Sequence, residues 1–161
     1  MKLIRYGAVG AEKTGIILDG KKYDTSAFGE DYDEKFFKTD GINRLAIFVE
    51  ENKESLALVS DTERSGSPIG RPSKLVCIGL NYAKHAQETN AQIPSEPIVF
   101  FKSTTSIVGP NDNIMLPKDS LKTDWEVELA LVIGKKASYV SKEEALDYVA
   151  GYVLHNDVSE R

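Results

Sequence analysis

A chain of 161 residues with a single cysteine holds no internal disulfide and no CxxC metal motif. That residue, Cys77, lies inside the apolar run 75–80, with no base near it in sequence, so it reads as inert core whose thiol suits a reducing cytosol. Cationic excess is missing too. Twenty Lys and Arg against 25 Asp and Glu leave a net charge of −5, which gives no electrostatic reason to expect nucleic acid or an anionic membrane surface as partner. No apolar run approaches the roughly 20 residues of a membrane span. The start, Met1-Lys2-Leu3-Ile4-Arg5-Tyr6, lacks the apolar core of a signal peptide. Neither a Walker A motif nor Gly-x-Gly-x-x-Gly is present. Gly66-Ser67-Pro68-Ile69-Gly70 places its serine wrongly for a nucleophile elbow and follows it with proline. A cytoplasmic protein with a small-molecule partner, binding neither nucleic acid nor membrane, is the expectation. An acidic substrate would need a local cation to hold it.

What is present is ordinary globular composition, 41% hydrophobic and 28% charged, in two regions. Residues 1–70 read as a small α+β domain. Leu3-Ile4-Arg5-Tyr6 and Gly15-Ile16-Ile17-Leu18 look like strands, and Asp19-Gly20 suits a type I′ turn. Asp40 is placed to cap a helix bearing Ile42, Leu45, Phe48 and Val49 at helical spacing. The Gly-, Pro- and Ser-rich stretch 64–72 reads as a connector. Residues 71–161 form the second domain. Leu75-Val76-Cys77-Ile78 and Ile98-Val99-Phe100-Phe101 read as buried strands, 125–133 as a long strand, and Tyr152-Val153-Leu154 as another. Ser141-Lys142-Glu143-Glu144 is a capping-box pattern expected to open a helix through about Tyr148.

Chemistry concentrates in three places. In Asp124-Trp125-Glu126-Val127-Glu128-Leu129-Ala130-Leu131-Val132-Ile133 the alternation of a strand puts Trp125, Val127, Leu129, Leu131 and Ile133 on one apolar face and Asp124, Glu126 and Glu128 on the other. Carboxylates two residues apart on a strand can converge on one cation, although a solvated acidic face is the commoner reason for such a pattern. His155-Asn156-Asp157-Val158-Ser159 follows a short apolar strand. Asp157 there would supply a third carboxylate, and a simple Asn-Asp turn is the alternative. Glu126, Glu128 and Asp157 form an all-oxygen set suited to Mg2+, Mn2+ or Ca2+ rather than zinc. In Asn81-Tyr82-Ala83-Lys84-His85-Ala86-Gln87-Glu88 a helix would place His85 and Glu88 on one face. That is either a general base oriented by a carboxylate or a plain surface pair. His155, beside Asp157, reads as a packing or supporting residue.

These segments occur in an order that resembles the fumarylacetoacetate hydrolase family. The likeness runs from Cys77-Ile78-Gly79-Leu80-Asn81-Tyr82-Ala83-Lys84-His85-Ala86-Gln87-Glu88 through Pro97-Ile98-Val99-Phe100-Phe101-Lys102, Ile107-Val108-Gly109-Pro110 and Asp124-Trp125-Glu126-Val127-Glu128-Leu129. It closes on Tyr148-Val149-Ala150-Gly151-Tyr152 and Asn156-Asp157-Val158-Ser159-Glu160-Arg161. The resemblance implies a β-rich α+β fold: a small N-terminal domain followed by an incomplete mixed β-sandwich roll. It implies a divalent metal, Mg2+ or Mn2+, held by Glu126, Glu128 and Asp157, with His85 and Glu88 as the catalytic dyad and Lys102 near the substrate. It further implies hydrolytic carbon–carbon cleavage of a 2,4-dioxo acid, an acylpyruvate or a diketo-deoxy sugar acid, by a homodimer. Ureidoglycolate lyase, or isomerase or decarboxylase chemistry on 2-oxo dicarboxylates, is the alternative on the same scaffold, and a catalytically silent domain is the alternative of another class. Members of the family continue past Asn-Asp-x-Ser-x-Arg, so the chain is expected to be the N-terminal portion of a longer enzyme and inactive alone.

Overall fold

Asp19 and Gly20 both take positive φ, 49° and 77°, as a two-residue type I′ turn requires and Asp-Gly readily supplies. The turn joins β2 (Lys13–Leu18) to β3 (Lys21–Asp24), and β1 (Lys2–Tyr6) pairs antiparallel along the other edge of β2. The computed structural model describes residues 1–161. It divides into two units, residues 1–70 with 108–161 and residues 71–107.

In the first unit, α1 (Glu34–Lys38) and α2 (Gly41–Asn52) close over the three-stranded sheet. Asp33 caps α1 by accepting the Phe36 N–H at 3.0 Å. Asp40 does precede α2, but in a left-handed conformation, with its carboxylate on the Asn43 side-chain amide instead of a backbone N–H. Ile16, Tyr32, Phe36, Leu45 and Val49 form the buried cluster. The Phe36 ring meets Phe28, Tyr32 and Phe37 at centroid distances of 6.2, 5.0 and 5.1 Å. It also explains the residue that starts α2, because a Cβ on Gly41 would fall 2.4 Å from that ring. The Tyr32 hydroxyl donates to the Gly15 carbonyl at 2.9 Å and meets Thr25 Oγ1 at 3.0 Å. Those contacts satisfy a buried polar group inside the core, and burial pushes its pKa up to about 12.

Part of the stretch read as a connector is ordered against this sheet. Gly7 N–H donates to the Arg64 carbonyl and Gly66 N–H to the Arg5 carbonyl, at 2.9 and 2.8 Å. Arg64 then forks onto Asp112 at 2.7 and 2.6 Å and reaches Glu12 at 3.1 Å. This approach explains Gly109: a Cβ there would lie 2.3 Å from the Ser65 carbonyl oxygen. Gly109→Ala is expected to lower stability by about 1–3 kcal/mol, the usual cost of overpacking. A urea midpoint unchanged from wild type would show that the loop yields without cost.

The second half of this unit is a long antiparallel ribbon. The strand expected over 125–133 begins two residues later, as β7 (Val127–Ile133), and a separate short strand, β6 (Thr123–Asp124), precedes it. β8 (Val149–Asn156) pairs with β7, and β9 (Ser159–Glu160) with β6. The capping box forms, with Ser141 Oγ on Glu144 Oε2 at 2.8 Å. Only one 3-10 turn, Ala145–Tyr148, follows instead of an α-helix, because Val149 already enters the ladder with β7. Alternation places Val127, Leu129, Leu131 and Ile133 on one face, as expected, together with Tyr152 and Leu154 from β8, and all six are exposed.

In the second unit β4 (Leu75–Gly79) pairs antiparallel with β5 (Ile98–Lys102), and α3 (Ala83–Glu88) lies in the connection. The two strands are where the sequence puts them but are not buried. Cys77 alone among their side chains is buried, while Val76, Ile78, Ile98, Val99, Phe100 and Phe101 are exposed. An apolar run fixes a strand's character but not what covers it. No helix of the structure is long and apolar enough to cross a membrane.

Candidate metal centre

The ribbon's pairing breaks off between Asp124 and Val127. Asp124 is paired with Ser159 and Val127 with Asn156, leaving two residues on each strand between these pairs. The register therefore runs through the gap without insertion, and Glu126 stands opposite Asp157. The Asp157 N–H donates to the Glu126 carbonyl at 2.8 Å, and the Glu126 N–H donates to Asn156 Oδ1 at 3.1 Å. Residues directly opposite in an antiparallel pair share a face. Glu126, Asp157 and, two residues along, Glu128 thus belong to one face, and Trp125 and Val127 to the other.

One carboxylate oxygen from each of Glu126, Glu128 and Asp157 lies within 4.8 Å of the others. Glu126 and Glu128 are half-buried, and Asp157 is only 3% exposed. Hard anionic oxygens in this number, one of them withdrawn from water, form a donor set that fits a divalent cation of the Mg2+ or Mn2+ class. Sequence spacing carries no measure of how close Asp157 comes to the pair of glutamates. Only the pairing between strands some thirty residues apart brings it there.

Three neighbours of this cluster take definite places in the structure. The Arg161 guanidinium contacts Asp124 Oδ2 through Nε at 2.9 Å and Glu126 Oε1 through Nη2 at 2.6 Å. Those contacts, first the hydrogen bond to Asp124, raise the Arg161 pKa above its ordinary value. Asp124 therefore belongs to the acidic face as an anchor for Arg161. His155 is the register partner of Glu128, which places it on the carboxylate face rather than in a core. The visible signal for Arg161 was its place in the Asn-Asp-x-Ser-x-Arg run. Nothing in spacing alone showed which carboxylates it would meet.

The remaining expected residues lie in the unit 71–107. His85 and Glu88 are three apart on α3, as expected, with His85 half-buried and Glu88 exposed. No hydrogen bond or ion pair joins their side chains, and the Thr89 hydroxyl donates to the His85 carbonyl at 2.9 Å. Lys102 ends β5 opposite Leu75 and is half-buried.

Comparison with known proteins adds to this geometry. Residues 74–161 match the family model described as fumarylacetoacetate (FAA) hydrolase, C-terminal. A Burkholderia multivorans protein, named provisionally and only as a hydrolase, is 50% identical over 162 residues, covering 100% of this chain and 56% of that protein. The chain thus spans about half the length of the curated relatives it matches. Among solved structures, fumarylacetoacetate hydrolase from psychrophilic Exiguobacterium antarcticum superposes with a TM-score of 0.77 at 28% identity, covering 100% of this chain and 57% of that one. Maleylpyruvate hydrolase from Sphingobium sp. SYK-6, solved with manganese(II) and pyruvate, gives 0.79 at 23% identity, covering 100% and 60%.

Proposed function

Because this chain belongs to the fumarylacetoacetate hydrolase family, we propose that it supplies the cation site of a divalent-metal-dependent hydrolase that cleaves a carbon–carbon bond in a 2,4-dioxo acid, an acylpyruvate or a diketo-deoxy sugar acid. The observation that carries this reading is the convergence of Glu126, Glu128 and Asp157 to within 4.8 Å at the break in the ribbon. Those three side chains would hold the cation. When bound, Mg2+ or Mn2+ supplies Lewis acidity toward the oxygens of a 2-oxo acid. The family's mixed β-sandwich roll is the architecture we assign to the complete catalytic domain, with residues 1–70 as a separate small domain, and we assign the whole protein to a cytoplasmic homodimer.

The chain's own residues have distinct tasks in this scheme. His85 Nδ1 or Nε2 takes a proton from the attacking water, which needs the neutral imidazole. Glu88, on the same face of α3, turns toward the imidazole and orients it once substrate is present; catalytic hydrogen bonds are often loose before substrate arrives. Lys102 offers a cationic partner to an anionic substrate, which a chain of net charge −5 otherwise repels at long range.

The test is a panel of acylpyruvates, diketo-deoxy sugar acids and ureidoglycolate offered to the purified full-length protein with Mn2+, the ion held by one neighbour of the same fold. Cleavage of a dioxo acid is expected. His85→Ala should reduce its turnover by about a hundredfold or more while Mn2+ binding is retained. Turnover of ureidoglycolate alone would replace the hydrolase with lyase chemistry. Near-normal turnover by His85→Ala would remove the base from the scheme.

A further inference from the structure

We propose that Arg161 is a positioning residue for the cation site: its guanidinium bridges Asp124 and Glu126 and thereby fixes the Glu126 carboxylate for service beside Glu128 and Asp157. The proposal rests on the cation reading given above. Its basis is geometric. Nε and Nη2 of one planar group engage two carboxylates, at 2.9 Å and 2.6 Å. Such a fork sets direction as well as distance, which a point charge does not.

The fork itself is anchored. The Arg161 N–H donates to the Lys122 carbonyl at 3.2 Å. Just before it, Glu160 pairs with Thr123, and its carboxylate accepts from the Ser120 and Thr123 hydroxyls and from the Lys122 N–H. Glu126 needs such help more than Glu128 does. Glu128 sits inside the paired strand β7, whereas Glu126 lies in the break, outside any strand. A glutamate side chain has several torsions to fix, at a cost in rotamer entropy. The contact with Arg161 meets that cost before a cation arrives.

A second physical effect acts in the opposite direction, which makes the proposal testable by sign. A guanidinium beside a cation site repels the cation, so on charge alone its removal should tighten binding. Positioning says that removal weakens it. Groups that hold metal ligands from outside typically alter affinity by about 10–100-fold. The pair itself is too exposed to matter much for folding, with Arg161 and Asp124 side chains 43% and 46% accessible.

Mn2+ affinity measured by calorimetry on wild type, Arg161→Gln and Arg161→Lys decides the matter, with the urea midpoint of each metal-free protein measured alongside. The expected result is at least a tenfold loss for Arg161→Gln, at most partial recovery for Arg161→Lys, and unchanged midpoints. Equal or tighter binding by Arg161→Gln overturns the proposal, as does full recovery by lysine or a loss of binding that follows a lowered midpoint. If wild type binds Mn2+ and Arg161→Gln binds it equally well, only the positioning role fails. If wild type does not bind Mn2+, the cation reading fails and this role falls with it.

Discussion

Glu126→Gln, Glu128→Gln and Asp157→Asn are each expected to weaken Mn2+ binding by at least about a hundredfold, more than the effect typical of residues that only support ligands. Each substitution keeps the side chain's size and removes one anionic oxygen from a set whose members lie within 4.8 Å of one another. Asp157→Asn should be the most severe. Its carboxylate is the buried one, at 3% exposure, so water can least easily fill its place. It is also pinned through its own backbone to the Glu126 carbonyl. Calorimetric titration of each variant provides the check. Undiminished affinity in both glutamate variants would sink the assignment of the site, whatever the activity of the protein proves to be.

Phe36→Ala is expected to cost about 3–5 kcal/mol of stability, the range for removing a buried aromatic ring. Phe36 is fully buried. Its ring touches the rings of Phe28, Tyr32 and Phe37 and lies over Gly41, the first residue of α2. The cavity left behind has little to fill it, because the glycine beneath carries no side chain. Urea unfolding followed by far-ultraviolet circular dichroism measures the loss. A change below about 1 kcal/mol would mean that α1 and α2 collapse onto the vacated volume, which their short connection through Thr39 and Asp40 does not favour.

The strands β1 and β2, the Asp19-Gly20 turn and the helix beginning after Asp40 were legible because each is set by its own few residues. Short apolar runs, a dipeptide that accepts positive φ, and apolar spacing of three and four are local signals. The element that organises the N-terminal core was not legible. α1 has five residues, too few for a helical period to show, and Tyr32 and Phe36 become central only when α2 and the sheet close over them. The helix expected after Ser141 failed for a related reason. The capping box is a local device and it forms, but Val149 is claimed by pairing with Ile133, a contact that local propensity does not see.

The candidate site divides along the same line. By itself the sequence determined that Glu126 and Glu128 stand two residues apart in one extended stretch and share a face with Asp124, because alternation depends only on the extended backbone pleat. It likewise determined which side chains make the apolar face of β7. Only the tertiary structure decided that Glu126 stands opposite Asp157, that the ladder opens between Asp124 and Val127, and that Arg161 returns to bridge Asp124 and Glu126. Each of these depends on register between segments some thirty residues apart, and register is chosen by the summed fit of a whole ladder, so no short window of sequence contains it.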